Sequence, residues 1–136
     1  MPLQSPLGTI KRWKRYVPRE KRNTVPRETR GFYVLYERGK RSRDARYEVR
    51  YIGIGGTGPK GTGIHRRLRT HHRNKKRWTH FSFFEVHDNI SADQIKEIEA
   101  LLLQIFRHDP RVKLANVQTG SRKFRQARMG ALWSAK

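Results

Sequence analysis

A single carboxylate lies where a predicted helix should present only apolar side chains. Residues 91–107 show helical periodicity, and at about 100° per residue one stripe contains Ile95, Ile98, Leu102, Ile105 and Phe106. Glu99 falls inside this stripe, whereas Glu97 points to the opposite face. A buried carboxylate must be paired, neutralised or bound to a metal ion. We therefore expect Glu99 to meet a cation.

A second predicted helix, which begins at Ile64, repeats this anomaly. Ile64 and Leu68 define its apolar side, and Arg67 and His71 fall on or beside that side. An Arg67–Glu99 ion pair would be a purely structural explanation. The functional alternative is a site where Glu99 holds a divalent cation and Arg67 faces a phosphate. A metal ion and a guanidinium can together stabilise the negative charge that develops in phosphoryl transfer.

The charge of the chain indicates a polyanionic partner. Its 136 residues suit one domain with a modest core. The 32 Lys and Arg outnumber the 11 Asp and Glu, which gives a net charge of +21 at pH 7. Phosphate contacts by Lys and Arg release counterions, so we expect a nucleic-acid partner, with DNA ahead of RNA.

Several classes of protein are excluded or disfavoured by composition. The chain has no Cys, which excludes disulfides, thiol catalysis and Cys-based zinc sites. No apolar run approaches the ~18 residues of a membrane span, and the first residues lack a secretory signal. We expect an intracellular protein, cytoplasmic or nucleoid-associated, without a membrane partner. The sequence gives no indication of an oligomer.

The chain divides into a basic arm, a core and a basic tail. Residues 1–30 are rich in Pro, Lys and Arg and are interpreted as a Pro-containing N-terminal arm. Nucleic-acid contacts are expected from Lys11, Arg12, Lys14 and Arg15, and base stacking from Trp13 and Tyr16. Residues 31–120 are the predicted core, and residues 121–136 a basic C-terminal tail or helix.

Three strands and two helices are predicted within the core. Aromatic and β-branched runs predict strands at residues 32–37, 46–54 and 81–87. In the second strand, alternation places together Tyr47, Val49 and Tyr51. A helix from residue 64 to about 75 follows Thr62 or Gly63 as its N-cap, and Ser91 with Gln94 resembles a capping box for the helix at residues 91–107. This ββαβα order predicts an α/β (α+β) fold with a small three-stranded, mainly antiparallel sheet flanked by helices.

Five short segments resemble, in order, the GIY-YIG nuclease family. Gly31-Phe32-Tyr33 and Tyr51-Ile52-Gly53 resemble the two halves of the signature. Arg67-Leu68 followed by His71 resembles the arginine helix, and Glu99-Ala-Leu-Leu-Leu resembles the helix with the metal-binding glutamate. Leu114-Ala-Asn116 resembles the closing asparagine segment. Phe32 replaces the usual Ile of the family. The loops at residues 38–45 and 55–63 are both longer than is typical of the family. The second of these loops makes Arg66 the alternative to Arg67, although the helical face favours Arg67.

The resemblance implies a metal-dependent endonuclease. Glu99 would bind one Mg²⁺ or Mn²⁺, and Arg67 would neutralise charge on the phosphate. Tyr33 and Tyr51 would line the site, and one of them would orient or deprotonate the attacking water. A tyrosine of ordinary pKa near 10 is a poor base at neutral pH without a nearby cation. Each tyrosine also has a structural interpretation, because an aromatic side chain in a strand is commonly part of the core.

The remaining candidate residues have supporting roles. By the same resemblance, His71 would lie beside the phosphate, Asn116 would brace the site, and His80 would form a further wall. His71 also has a structural interpretation, as a satisfied histidine on a helix face. Arg69 and Arg73 lie on the outer face of the first helix, as solvated surface or as phosphate contacts.

Other functions fit the sequence less well. Gly53-Ile-Gly55-Gly56-Thr-Gly58 matches the dinucleotide-binding pattern, but no acidic residue follows at the required distance and the glycines do not open the helix. We expect no small-molecule cofactor and no zinc. The main alternative is a non-catalytic basic nucleic-acid-binding module, for DNA or RNA, on the same fold.

Overall fold

An antiparallel sheet forms the framework on which two helices pack. The structure is a computed structural model that describes residues 3–4, 8–39, 46–58, 63–74 and 77–109. Its elements in chain order are β1 (Leu3–Gln4), β2 (Ile10–Pro18), a 3₁₀ segment (Arg19–Thr24), β3 (Gly31–Arg38), β4 (Tyr47–Gly55), α1 (Ile64–Arg73), β5 (His80–Val86) and α2 (Ala92–Arg107). The strand order is β1-β2-β5-β3-β4, and every neighbouring pair is antiparallel.

The predicted α+β class and the predicted core elements agree with this architecture. The three strands expected from aromatic and β-branched runs are β3, β4 and β5, each displaced by no more than one residue at either end. Helix α1 follows Gly63 as its N-cap, and α2 begins at the predicted capping box. There the Ser91 hydroxyl accepts the Gln94 amide at 3.1 Å, and the Gln94 side chain accepts the Ser91 amide at 2.8 Å.

The prediction of a three-stranded sheet is not confirmed, because β1 and β2 extend the sheet. Residues 10–18, interpreted from the sequence as part of an arm, form β2 and pair with β5. This strand was not predicted because the segment is rich in Lys and Arg, which are not typical of strands. Val17 is nevertheless buried in the core, and Glu85 of β5 forms an ion pair with Arg12. Backbone pairing with β5 therefore outweighs the unfavourable composition of the strand.

The two helices cover opposite faces of the sheet. Because side chains alternate along a strand, neighbouring residues of β3 enter different clusters. Tyr33 packs with Ile64 and Leu68 of α1, whereas Phe32 packs with Ile95 of α2. The core is thus split into two layers, one under each helix.

The apolar stripe of α2 is only partly as predicted. The helix buries Ile95, Glu99, Ala100 and Leu103, with Ile98 and Leu102 packed alongside. Ile105 is instead 57% exposed, so its assignment to the buried stripe is wrong. The most buried line on α2 follows residues 95, 99 and 103 at a spacing of four, which leaves Ile105 on the outer side of the helix.

An irregularity in β4 separates two tyrosines that alternation had placed together. Leu35 is opposite Tyr51, but the next residue, Tyr36, is opposite Val49. One extra residue of β4 therefore bulges out, and the side-chain alternation shifts by one. As a result Tyr51 contacts the α1 layer, whereas Tyr47 contacts Tyr36 on the other face. The prediction that Tyr47 and Tyr51 share a face is wrong.

Among the described residues, neither helix has the length and apolar character needed to cross a membrane. Asn116 and the predicted tail at residues 121–136 lie outside the described part of the chain.

Candidate active site

A buried tyrosine is the centre of the candidate site. Tyr33 is 0% exposed, and its hydroxyl lies 2.7 Å from Nε2 of His71 on α1. The Tyr51 ring stacks on the Tyr33 ring, with centroids 5.9 Å apart and planes inclined by 23°. The His71 and Tyr51 rings pack edge-on, with centroids 4.5 Å apart. The fold thus brings together three of the predicted site residues.

Arg67 joins this cluster from the flank of α1. Arg67 is exposed to solvent. Its guanidinium nevertheless interacts electrostatically and by hydrogen bonding with the phenols of Tyr33 and Tyr51. Burial alone would lower the pKa of Arg67, but the two phenols outweigh burial and raise this pKa above its ordinary value. Arg67 therefore remains a cation that faces both the tyrosines and solvent.

Helix α1 is held over the cluster at its N-terminal end. The Ile64 amide donates to the Thr29 carbonyl at 3.0 Å, and Nδ1 of His65 lies 2.7 Å from the Val25 carbonyl. The buried face of α1 consists of Ile64, Leu68 and His71. Since residues 64, 68 and 71 share one side of a helix, burying the two apolar residues also directs His71 at the sheet.

Glycines make room for the cluster and for the strand that supports it. Gly53 lies opposite Tyr33 in the β3–β4 register. A Cβ atom at Gly53 would lie 2.5 Å from Cζ of Tyr33 and 2.6 Å from its hydroxyl oxygen. Gly31, at φ 147°, lies so close to the Phe84 carbonyl oxygen that a Cβ atom there would collide with it. Both glycines of the nuclease-like signature are therefore explained by packing.

The two tyrosines differ in their suitability to act on water. Burial is the main cause that raises the pKa of Tyr33, and Tyr51 raises it further. Arg67 acts in the opposite direction and lowers this pKa in part. The Tyr33 phenol accordingly keeps its proton at neutral pH and can donate it to Nε2 of His71. Tyr51 is only half-buried. Of the two tyrosines, Tyr51 is the one that a water molecule can reach.

The outer side of α1 carries a groove rich in arginine. This arginine groove has a volume of about 460 Å³ and is lined by Arg27, Glu28, His65, Arg66, Arg69, Thr70 and Arg73. It contains the two predicted phosphate contacts on α1, Arg69 and Arg73. Arg27 and His65 were not among the predicted site residues. The helical spacing of four between His65 and Arg69 was a signal that could have identified the histidine.

Glu99 is buried on α2 as predicted, and α2 packs on the sheet face opposite the Tyr33 cluster. The residue is 6% exposed. Within the part of the chain that the structure describes, Arg67 and Glu99 do not form an ion pair with each other. Both helices contact β4, the strand that carries Tyr51. The structural explanation of an Arg67–Glu99 pair is therefore not supported.

Glu99 is the buried carboxylate that the described residues offer to a divalent cation. Among the described residues, no three His, Cys, Asp or Glu side chains group together as metal ligands. A protein-built metal cage is thus not present in that part of the chain. One buried carboxylate is still compatible with Mg²⁺, because this ion keeps several of its waters and is often held by one or two carboxylates together with substrate phosphates.

The other predicted nucleic-acid contacts are dispersed. Lys11, Lys14 and Arg15 lie on β2 with Arg12. The hydrogen bond from Nε of Arg12 to the Glu85 carboxylate, and the attraction between their charges, raise the pKa of Arg12. Arg12 thus has an internal partner. His80 packs edge-on against Tyr47, on the face away from Tyr33. The prediction that His80 forms a wall of the Tyr33 site is wrong, because side-chain alternation on β5 directs it to the opposite layer.

Comparisons with protein-family models, with curated proteins and with solved structures find no match to this chain.

Substitution of Gly53 by Ala should destabilise the protein by about 1–3 kcal/mol, because the added methyl group collides with the Tyr33 ring. Urea denaturation measures this loss. In a Tyr33→Leu background the Cζ and hydroxyl atoms are absent and the contact with Cε1 of Tyr51 at 2.7 Å remains, so the same substitution should cost less, though not nothing. Equal costs in the two backgrounds would show that Tyr33 is not what excludes a side chain at residue 53.

Substitution of Tyr33 by Phe should destabilise the protein at neutral pH and do so less at alkaline pH. At neutral pH, loss of the hydrogen bond to His71 should cost about 1 kcal/mol. Because folding raises the pKa of Tyr33, its contribution is complete below the unfolded pKa of about 10 and declines above it. The stability difference between wild type and Tyr33→Phe should therefore shrink above pH ~10, by up to about 1.4 kcal/mol per pH unit. Denaturation between neutral and strongly alkaline pH measures this, and a difference that stays constant would contradict it.

Proposed function

We propose that the protein is a metal-dependent endonuclease of the GIY-YIG type that hydrolyses phosphodiester bonds in nucleic acid, with DNA as the preferred substrate. The observation that carries this proposal is the convergence of Tyr51, Arg67 and His71 around the buried Tyr33. Residues from two strands and one helix meet there, which supports a shared role for them.

Each side chain of the cluster suits a step in the attack of water on a phosphate. Arg67 is a permanent cation at the surface of the cluster, so it would stabilise the negative charge that develops on the phosphate. Tyr51 would orient the attacking water beside the Arg67 guanidinium. Tyr33 and His71 would hold Tyr51 and Arg67 in position by packing and hydrogen bonding.

Glu99 would hold the divalent cation, Mg²⁺ or Mn²⁺. A bound metal ion of this kind supplies charge stabilisation and lowers the pKa of its water. Helices α1 and α2 flank β4, the last strand in the described sheet order, from opposite faces, so a phosphate beside β4 would lie between residues of both helices. Asn116 remains a proposed bracing residue.

The substrate backbone would lie along the arginine groove. The groove is on the same helix as Arg67, and four arginines line it. Guanidinium groups bind phosphate oxygens through planar, paired hydrogen bonds. A backbone held there would extend from the outer face of α1 towards the flank that carries Arg67.

A second candidate function is a nucleic-acid-binding module without catalysis. The observation in its favour is that packing accounts for Gly31, Gly53 and Tyr33 without any reaction. The arginine groove would serve binding equally well. This candidate predicts tight, salt-dependent binding with no metal-dependent turnover.

Incubation with supercoiled plasmid in Mg²⁺ or Mn²⁺, with EDTA as the control, tests the proposal. Arg67→Ala should reduce nicking roughly 100- to 1,000-fold, because its guanidinium serves the transition state. Arg66→Ala is the matched control, since it removes the same charge from the next position of α1. It should weaken binding and cleavage together. Equal losses for both variants would contradict a specific role for Arg67.

Glu99→Gln tests the metal ligand separately from binding. The substitution keeps the size of the buried side chain and removes its charge, so nicking should be lost while affinity for the plasmid in EDTA is retained. Glu97→Gln, on the exposed side of the same helix, should leave both unchanged. Circular dichroism confirms that Glu99→Gln is folded. A folded Glu99→Gln variant with full cleavage would remove Glu99 from the mechanism, and a wild type that binds without nicking would favour the second candidate.

A further inference from the structure

An aromatic surface lies on the face of the sheet opposite the Tyr33 cluster. We call it the tyrosine patch and define it by Tyr16, Tyr36, Tyr47 and His80. Tyr16 stacks on Tyr47, with centroids 4.4 Å apart and planes inclined by 27°. Tyr36 lies 5.1 Å from Tyr16, and His80 packs edge-on against Tyr47 at 5.0 Å. The rings come from β2, β3, β4 and β5, so the patch is a product of the tertiary fold.

The outermost ring of the patch is held in an unusual backbone conformation. Tyr16 has a φ of 55°, and it is the one non-glycine residue with positive φ among the described residues. Such a conformation is unfavourable for a bulky side chain. It is maintained by the irregular register between Lys14 and Val17 and by a hydrogen bond from the Tyr16 amide to the Ser82 hydroxyl at 3.0 Å. The strain brings the ring onto Tyr47.

Core formation does not account for this strained position. Tyr16 remains 45% exposed, so much of its ring surface faces solvent. Helix α2 covers another part of the same sheet face, around Phe32 and Ile54. The exposed side of Tyr16 thus continues an existing aromatic stack into solvent, and strained residues of this kind concentrate at functional sites.

The charges around the patch are mostly positive. The Arg38 guanidinium lies 5.6 Å from the Tyr47 ring centroid, and Arg15 acts electrostatically on the Tyr36 phenol. Glu20 is the acidic group that acts on His80, where it opposes the effects of burial and of Arg38. An aromatic surface bordered by arginines suits a planar ligand attached to phosphates.

We propose that the tyrosine patch binds unpaired bases of a nucleic-acid strand, with a base stacked on the exposed side of Tyr16 and the flanking phosphates near Arg38 and Arg15. Stacking on aromatic side chains combined with cationic backbone contacts is how proteins bind single strands without reading their sequence. The inference rests on the proposed function for the choice of nucleic acid. It adds that the substrate carries a single-stranded segment, on the sheet face opposite the Tyr33 cluster.

Fluorescence anisotropy with two labelled probes tests this binding site. One probe is a thymidine oligonucleotide of about twelve nucleotides, and the other is an abasic strand of the same length and charge. Both are measured in EDTA at about 0.15 M salt, so that cleavage does not contribute and screening is physiological. Wild type should bind the thymidine strand more tightly. The ratio of the two dissociation constants isolates the contribution of the bases.

Substitutions at Tyr16 assign that ratio to the patch. Tyr16→Leu keeps an apolar side chain without a π-face and should weaken binding of the thymidine strand roughly 5- to 150-fold, with little change for the abasic strand. Tyr16→Phe keeps the ring and should bind as wild type does. Tyr16→Gly relieves the positive φ, so it should fold well and still lose the preference for bases.

The outcomes separate this inference from the proposed cleavage. If Tyr16→Leu and Tyr16→Gly keep the wild-type ratio, or if wild type binds both probes equally, the patch is not a base-binding site. Either result would leave plasmid nicking, tested with Arg67 and Glu99 variants, unaffected. A uridine RNA strand of the same length distinguishes the source of the bases. Tighter binding of RNA than of DNA would support the patch and redirect the search for the substrate to RNA.

Discussion

The burial of the Tyr33 phenol constrains how closely α1 must approach the sheet. A hydroxyl removed from water must find a hydrogen-bond partner, or the fold loses the free energy of its desolvation. His71 meets this requirement at 2.7 Å, and it can do so only if the helix lies close above the sheet. Gly53 permits that approach because it has no side chain beneath the phenol. Once α1 is fixed in this way, Arg67 has its place on the flank of the cluster.

The same constraint determines where the positive charge of α1 is displayed. With Ile64, Leu68 and His71 directed inwards, the remaining residues of the helix must face solvent, and most of them are basic. Concentrated charge of one sign destabilises a compact chain through self-repulsion. A net charge of +21 is therefore costly unless a polyanion neutralises it. Arg12 shows the contrasting case, since the acidic Glu85 on the neighbouring strand neutralises it within the fold.

Local sequence signals predicted what local forces determine. The capping box at Ser91, the aromatic strand β5 and the burial of Glu99 each depend on residues a few positions apart, and each was confirmed. Strand β2 was missed because its basic composition opposes a strand, and its pairing with β5 involves residues about seventy positions away. The bulge in β4 is also a property of two paired strands, which no single-strand alternation contains. The proximity of Tyr33, Tyr51 and His71 was inferred from a resemblance, and the structure supplies its physical cause.

The bulge in β4 has a consequence for how one small sheet could serve two purposes. It directs Tyr51 to the α1 layer and Tyr47, four residues earlier, to the opposite face. Without the extra residue both rings would lie on one face, and either the Tyr33 cluster or the tyrosine patch would lose a member. β4 is also the edge strand in the described sheet order. A nucleic acid bound on both faces would have to bend around this edge, and a single strand bends far more easily than a duplex. For the proposed nucleic-acid substrate, this geometry would suit a junction, with a backbone along α1 and unpaired bases on the other side.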